Sequence, residues 1–289
     1  MTIFITAIGG FLGSQVAARF AARGHHVKGS IRGNAPAIDG RRTIRLALDE
    51  PFDPNVFSGC DVVVHAAHDF TPGARDANVH GTIAWAEAAA RAGVTRQLFI
   101  SSPSAQPESP SEYGRAKYRL ERWFLDAGHL IVRPGLVVGQ GGLFARQRAA
   151  LLRSPLVPLI GGGHQPTFVI ALDHFVDAAA RIVESGTPHE ASLFYDDRPP
   201  MRSFVTAVKH AAGQRAMIVP IPASAAIALT RLARALRLPI PVTPEQIRTL
   251  SHTPFDSLRS DLPRVLPERV AEFSLAYALA AIDDRSVVS

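Results

Sequence analysis

Tyr113-Gly114-Arg115-Ala116-Lys117 holds the residues best suited to chemistry. On a helix, a tyrosine and a lysine four apart share one face, one turn from each other. A phenol ordinarily loses its proton near pKa ~10, and an adjacent ammonium favours the phenolate and lowers that value. Such a tyrosine is a usable general acid or base near neutral pH. The spacing alone also occurs on exposed helices, so its meaning depends on what surrounds it. Just upstream, Ser101-Ser102 follows the apolar run Gln97 to Ile100. A serine there can hydrogen-bond the same substrate oxygen as the phenol, or Ser101, Ser102 or Ser104 can simply cap the next turn.

The elements that must position these side chains read as a repeated β-α-β pattern. Thr2 to Ile8 reads as a buried strand, Gly9-Gly10-Phe11-Leu12-Gly13 as a turn, and Ser14 to Arg23 as a helix. Glycines between a strand and a helix let the backbone approach a pyrophosphate, which the helix N-terminus holds. Regular spacing places glycines at 7, 10 and 13, and position 7 is Ala7. A second strand, Val27 to Ile31, ends at Arg32. No acid lies between Val27 and Asn34 to bind ribose hydroxyls, so Arg32 is the expected ligand of a 2′-phosphate, with Lys28 as a weaker second.

Further strands are expected at Thr43 to Leu48, Cys60 to His65, Gln97 to Ile100 and Leu130 to Val132, with helices at Asn78 to Ala92 and from Tyr113 to about Ala127. This rhythm predicts an α/β fold with a doubly wound parallel sheet. Ligands of such sheets sit at the carboxyl ends of the strands, where Ser101-Ser102 lies. After Gly139 the rhythm is lost and the chain reads as mainly helical and punctuated by proline. A short strand is still expected at Thr167 to Ile170, a helix at Asp173 to Glu184, a strand at Leu193 to Tyr195 and a helix over 203–213. Ile227 to Leu238 is amphipathic, with Arg231, Arg234 and Arg237 on one stripe.

The 289 residues are 47% hydrophobic and 19% charged, enough for one large domain or two integrated ones. A single cysteine, Cys60, excludes an internal disulfide and suits a reducing compartment. No signal peptide or membrane-spanning run is visible, so a cytoplasmic location is expected. The net charge of +6 is carried by arginines spread along the chain, without a nucleic-acid motif. His65 and His68 lack further ligands at useful spacing, so no metal site is expected.

Together these residues resemble the extended short-chain dehydrogenase/reductase superfamily, in particular its NAD(P)-dependent epimerase/dehydratase group. The resemblance runs from Met1 to about Glu184. Thr6-Ala7-Ile8-Gly9-Gly10-Phe11-Leu12-Gly13 is similar to the family's phosphate turn, His65-Ala66-Ala67-His68 to the segment lining the riboses, and Arg133-Pro134-Gly135-Leu136-Val137-Val138-Gly139 to the strand and loop beside the nicotinamide. The resemblance implies a Rossmann sheet over residues 1–140, with 168–198 returning to it. A smaller, mainly helical substrate-binding part then takes 141–167 and 199–289. It implies catalysis by Ser102, Tyr113 and Lys117. The implied cofactor contacts come from Gly9, Gly10, Phe11, Leu12, Arg32, Asp49, Ala66, Ala67, Lys117, Pro134 and Val137.

The expected cofactor is NADP(H), with NAD(H) left open. The expected reaction is hydride transfer to or from a carbonyl or alcohol of a small molecule. A nucleotide-sugar epimerase or dehydratase using the same triad is the alternative, and a non-catalytic NADP(H)-binding sensor or assembly factor is a third. Gln165-Pro166 stands where sugar-nucleotide enzymes commonly keep Arg-Asp, which counts against a nucleotide sugar. The family also implies a homodimer through the helices that contain Asn78 and Tyr113.

Overall fold

A computed structural model describes residues 1–33, 37–38, 41–235 and 258–282. The chain divides into two compact units. The first comprises 1–107, 112–133 and 176–192, and the second comprises 108–111, 134–175 and 193–289.

The first unit is built on a sheet of β1 (Thr2–Ile5), β2 (His26–Ile31), β3 (Ala37–Ile38), β4 (Arg41–Arg45), β5 (Val62–His65), β6 (Arg96–Ile100), β7 (Leu130–Pro134) and, after β8–β10 of the second unit, β11 (Glu190–Leu193). Their spatial order is β11-β7-β6-β5-β1-β2-β4-β3. The chain reverses direction across β1, so the sheet is doubly wound as the sequence predicts. Seven strands run parallel and only β3 is antiparallel to its neighbour β4. Val62, Val63 and Val64 are almost wholly buried, as a central parallel strand requires.

Helices α1 (Phe11–Ala22), α2 (Arg75–Arg91) and α3 (Glu112–Asp126) join successive strands. Trp85, Ala88 and Ala89 of α2 pack with Phe4, Phe57 and Val63, while Val79 and Ala86 pack with Ala116, Leu120 and Phe124 of α3. Ala116, Leu120 and Phe124 recur every fourth residue, so one stripe of α3 is core. The stripe beside it, Tyr113, Lys117 and Glu121, is polar and is nonetheless drawn in, with Lys117 and Glu121 fully buried.

Strand starts and ends move by a few residues from the sequence expectation. Most telling is β1, which ends at Ile5, because Thr6 onward already belongs to the turn.

In the second unit, β8 (Leu136–Val138) pairs in parallel with β10 (Val169–Ala171). A second parallel pair joins β9 (Leu156–Ile160) to β12 (Met217–Ile221). Sequence patterning misses this second pair because Pro158 and Pro220 fall within it. Proline is excluded from central strands, but both strands of a two-stranded ribbon have an edge on which the absent N–H costs nothing. Helices α4 (Gly142–Leu152), α6 (Met201–Ala211) and α7 (Ala223–Ala235) belong to this unit, whereas α5 (Leu172–Ser185) starts in it and continues into the first unit from Val176. Arg237 and Leu238, with the side chains of Arg231 and Arg234, lie outside the described residues.

Residues 266–282 are held by a buried polar network. Asp173 accepts hydrogen bonds from Arg269 (2.6 Å) and Tyr277 (2.7 Å), and His174 is bonded to Tyr195 (2.7 Å) and Glu272 (2.9 Å). Gln165-Pro166 is occupied with its own backbone. Pro166 bridges Pro200, and Thr167 donates its N–H to the Pro199 carbonyl. Among the described residues no helix is long and apolar enough to cross a membrane.

Candidate active site

The site begins where β1 gives way to α1. Thr6 is fully buried, and its Oγ1 accepts hydrogen bonds from the backbone of Ala66 (2.9 Å) and Ala67 (3.0 Å). One hydroxyl thus ties the turn after β1 to the turn after β5. Ala7 stands with φ 54°, in the left-handed region that disfavours a side chain. Its N–H is held by Ser30 Oγ at 3.2 Å, and its carbonyl accepts from Gly10 at 2.8 Å. A Cβ on Gly13 would lie 2.2 Å from that same carbonyl, so Gly13 is dictated by close approach. Gly9 and Gly10 are exposed, and the N-terminus of α1 at Gly10 has no side-chain cap. Phe11 and Leu12, half-buried, form its first turn. Missing the glycine at position 7 has therefore not abolished the tight turn; Ala7 adopts the glycine conformation at a cost.

Arg32 follows β2, with its side chain 68% exposed and Nη2 3.4 Å from Asp69 Oδ2. Lys28 is different. Its Nζ donates to the Ser58 carbonyl at 3.1 Å, ahead of β5 and so toward the amino ends of the strands. That position places Lys28 toward the opposite end of the sheet from Arg32 and the turn after β1. Asp49 is exposed in the turn after β4.

Strand β6 delivers Ser101 and Ser102, buried and half-buried. Ser102 Oγ accepts from the Ser104 N–H at 3.2 Å, and the Ser102 hydroxyl lowers the pKa of Tyr113. Of the two roles the sequence leaves open, the structure shows the cap on the turn. Lys117 Nζ donates to the Ile100 carbonyl at 2.7 Å, stands 4.5 Å from the centre of the Phe99 ring and 5.8 Å from that of Tyr113. The structure thus brings Ser102, Tyr113 and Lys117 together at the carboxyl end of β6.

Electrostatics depart from the simplest expectation. Burial pushes the Tyr113 hydroxyl above its ordinary pKa, and the Ser102 hydroxyl offsets this only in part. Burial also lowers Lys117 to about 7, with Glu121 one turn further on pulling the other way. A lysine whose own charge is weakened gives the phenol little help, so the expected lowering of the tyrosine pKa is absent from this arrangement. Glu121, in turn, is raised by burial and opposed by Arg133, which bonds it through Nε and Nη2, each at 2.6 Å. Arg133 also bonds Glu190. Glu121 continues the four-residue spacing of Tyr113 and Lys117, which is the sequence signal for it.

Two more rings complete the surroundings. His68 meets Tyr113 edge-on at 4.9 Å between ring centres, and Phe70 lies nearly parallel to it, at 6.0 Å and 20°. Burial, then repulsion from Lys117, lowers His68 to about 3, so it is neutral. His65 is a core residue, bonded to Gln97 at 2.8 Å and lowered to about 4 by burial. No group of three metal-ligand side chains occurs among the described residues. Pro134 and Val137 belong to the second unit; Pro134 is buried, and Val137 lies in β8 opposite Ile170.

Residues 9–132 match the family model described as NAD(P)H-binding. The chain is 26% identical over 274 residues to a 4-hydroxy-2-methyl-3-oxo-4-farnesyl-3,4-dihydroquinoline-1-oxide ketoreductase of Stigmatella aurantiaca, covering 82% of this chain and 80% of that one. It is 31% identical over 202 residues to a ceramide reductase of Caulobacter vibrioides, covering 63% of this chain and 59% of that one. Among solved structures, a nucleoside-diphosphate-sugar epimerase from Staphylococcus aureus superposes with a TM-score of 0.74 at 15% identity, over 96% of this chain and 99% of that one.

Proposed function

We propose that this chain belongs to the extended short-chain dehydrogenase/reductase superfamily and is an NADP(H)-dependent reductase of a small carbonyl compound, a reading supported by the NAD(P)H-binding match and the reductase relatives. The observation that carries the reading is the Tyr113–Lys117 pair after β6: Lys117 Nζ lies 5.8 Å from the centre of the Tyr113 ring and donates to the Ile100 carbonyl, next in the chain to Ser101-Ser102. The reductase names of the two curated relatives support the direction of the reaction.

The residues fit a dinucleotide. The exposed Gly9 and Gly10 leave the uncapped N-terminus of α1 open to a pyrophosphate, assisted by the backbone of Phe11 and Leu12. Ala66 and Ala67 offer a flat surface for the riboses, Asp49 an acceptor for the adenine amino group, and Arg32 a cation for a 2′-phosphate. Pro134 and Val137 are assigned to the nicotinamide. The second unit is assigned to the substrate. When bound, the reduced nicotinamide supplies a hydride to the carbonyl carbon.

The protein's own part is acid–base work. Ser102 orients the carbonyl oxygen, and Tyr113 gives its hydroxyl proton to that oxygen as the C=O π bond breaks, leaving an alcohol. Solvent then returns a proton to the phenolate. Lys117 holds a ribose and, when charged, stabilises the phenolate. With a pKa about 7 it is half-protonated at neutral pH; an anionic nucleotide nearby favours its charged form.

The test is Tyr113→Phe, which removes one hydroxyl. Turnover of NADPH with a carbonyl panel should fall by about a hundred- to ten-thousand-fold, while NADPH binding changes little. Full activity in the variant overturns the reading. Isomerised nucleotide sugar without net NADPH loss would replace it with an epimerase, and nucleotide binding without turnover with a sensor.

A further inference from the structure

Phe70 is a large apolar side chain left 75% exposed in the loop after β5. It is nevertheless fixed. Asn78 Oδ1 accepts the Asp69 N–H at 2.7 Å, and Asn78 Nδ2 donates to the Asp69 carbonyl at 2.8 Å. Asp69 Oδ1 in turn accepts from the Thr71 N–H (2.9 Å) and hydroxyl (2.7 Å). Both neighbours of Phe70 are thus pinned, and the ring is held beside Tyr113 with the two planes only 20° apart. His68 closes the corner, edge-on to both rings at 4.7 and 4.9 Å.

An ordered, exposed aromatic ring beside a candidate proton donor has a binding consequence. Polar groups of the loop that could read sugar hydroxyls are engaged within it: both ends of the Asn78 amide on Asp69, and the Asp69 carboxylate on Thr71 and Arg32. Phe70 is left exposed beside Tyr113, the candidate proton donor. We propose that Phe70, with His68 and Tyr113, forms an aromatic corner that selects a flat, unsaturated carbonyl compound, an aryl ketone or aldehyde, over a polyhydroxylated or saturated one. This rests on the reductase reading above and names its substrate class.

The probes are an acetylnaphthalene and its fully ring-saturated analogue, which carry the same carbonyl on similar bulk. Binding of each to the full chain is measured by calorimetry, with and without NADP⁺, for wild type, Phe70→Leu and Phe70→Ala. Phe70 is exposed, so neither change threatens the fold. Aromatic pairing has the size of a roughly 3- to 10-fold effect on affinity. Wild type should favour the aromatic probe by about that factor. Phe70→Leu should erase the preference, and Phe70→Ala should weaken both probes.

Equal affinities in wild type, a preference that survives Phe70→Leu, or no binding of either probe overturns the aromatic corner. NADPH consumption with the same two probes separates this from the reductase reading. Discrimination in binding without reduction of either probe upholds the corner and counts against the reductase. Reduction of both with equal KM upholds the reductase and overturns the corner.

Discussion

The Glu121 carboxylate is gripped by Arg133 through two parallel hydrogen bonds, each 2.6 Å, at a position where Glu121 is only 1% exposed. A buried ion pair gives little net stability, but losing one partner leaves an uncompensated charge. Arg133→Met should therefore destabilise the protein by about 3–5 kcal/mol. Glu121→Gln should cost less, because Arg133 keeps Glu190. Replacing both, with Glu121→Leu and Arg133→Met, should recover most of the loss. Urea unfolding of the three variants checks this, and an Arg133→Met variant within about 1 kcal/mol of wild type contradicts it.

Lys117 gives the protein an unusual dependence on pH. Unfolded, a lysine holds its proton up to about 10.4; folded, Lys117 releases it at about 7. Between these values the unfolded state binds more protons, so stability rises with pH. The cost of burying the charge is full below pH 7 and relieved above. The slope contributed is at most about 1.4 kcal/mol per pH unit. Lys117→Met should abolish this contribution, so that the variant gains on wild type at pH 6 and loses the advantage by about pH 10. Chemical unfolding of both proteins at several pH values provides the measurement. Identical slopes would show that Lys117 titrates normally.

The sequence discloses the Tyr113–Lys117 pairing better than its surroundings. Tyr113 and Lys117 are legible because helix geometry alone puts residues four apart on one face. Nothing in the pattern says that this face is buried, and burial is what raises Tyr113 and depresses Lys117. Arg32 and, more weakly, Lys28 are both candidates in the sequence because both are cations on or just after one strand. Position along that strand separates them, since Lys28 bonds Ser58 before β5 begins. His68 and Phe70 are distant from Tyr113 in sequence, and only the parallel order β1-β5-β6 brings their loop beside α3. The β9–β12 pair stays hidden because its prolines are the residues that strand patterns reject.

Ala7 in the left-handed region is a removable strain. A non-glycine residue there costs about 1–2 kcal/mol, whereas a new glycine loses about 0.4–1 kcal/mol through the freedom of the unfolded chain. Ala7→Gly should therefore raise stability by up to about 1.6 kcal/mol. Gly13→Ala is the counterpart. Its new methyl would meet the Ala7 carbonyl at 2.2 Å, so it should destabilise by about 1–3 kcal/mol. Thermal unfolding of the two variants should move the midpoint in opposite directions. A fall in both would mean that the turn tolerates neither change and that Ala7 is favoured by contacts outweighing its strain.

Arg32 should decide cofactor choice, against a competitor already in place. Its guanidinium lies 3.4 Å from the Asp69 carboxylate while most of the side chain is exposed. A surface pair of this kind contributes about 0.2–1 kcal/mol, whereas a charge-assisted contact to a phosphate contributes about 1.5–3 kcal/mol. The phosphate should win, making NADPH roughly ten- to a hundredfold tighter than it would be without the arginine. Arg32→Asp should weaken NADPH strongly, spare NADH and reverse the preference. Asp69→Asn keeps an oxygen for Thr71 but removes the competing charge, so it should tighten NADPH up to about fivefold and leave NADH unchanged. Dissociation constants for both nucleotides, at low and moderate salt, test the pair of variants; the Asp69 effect should shrink as salt screens the exposed charges. If wild type binds NADH as tightly as NADPH, or Arg32→Asp keeps its NADPH affinity, Arg32 is not the phosphate ligand.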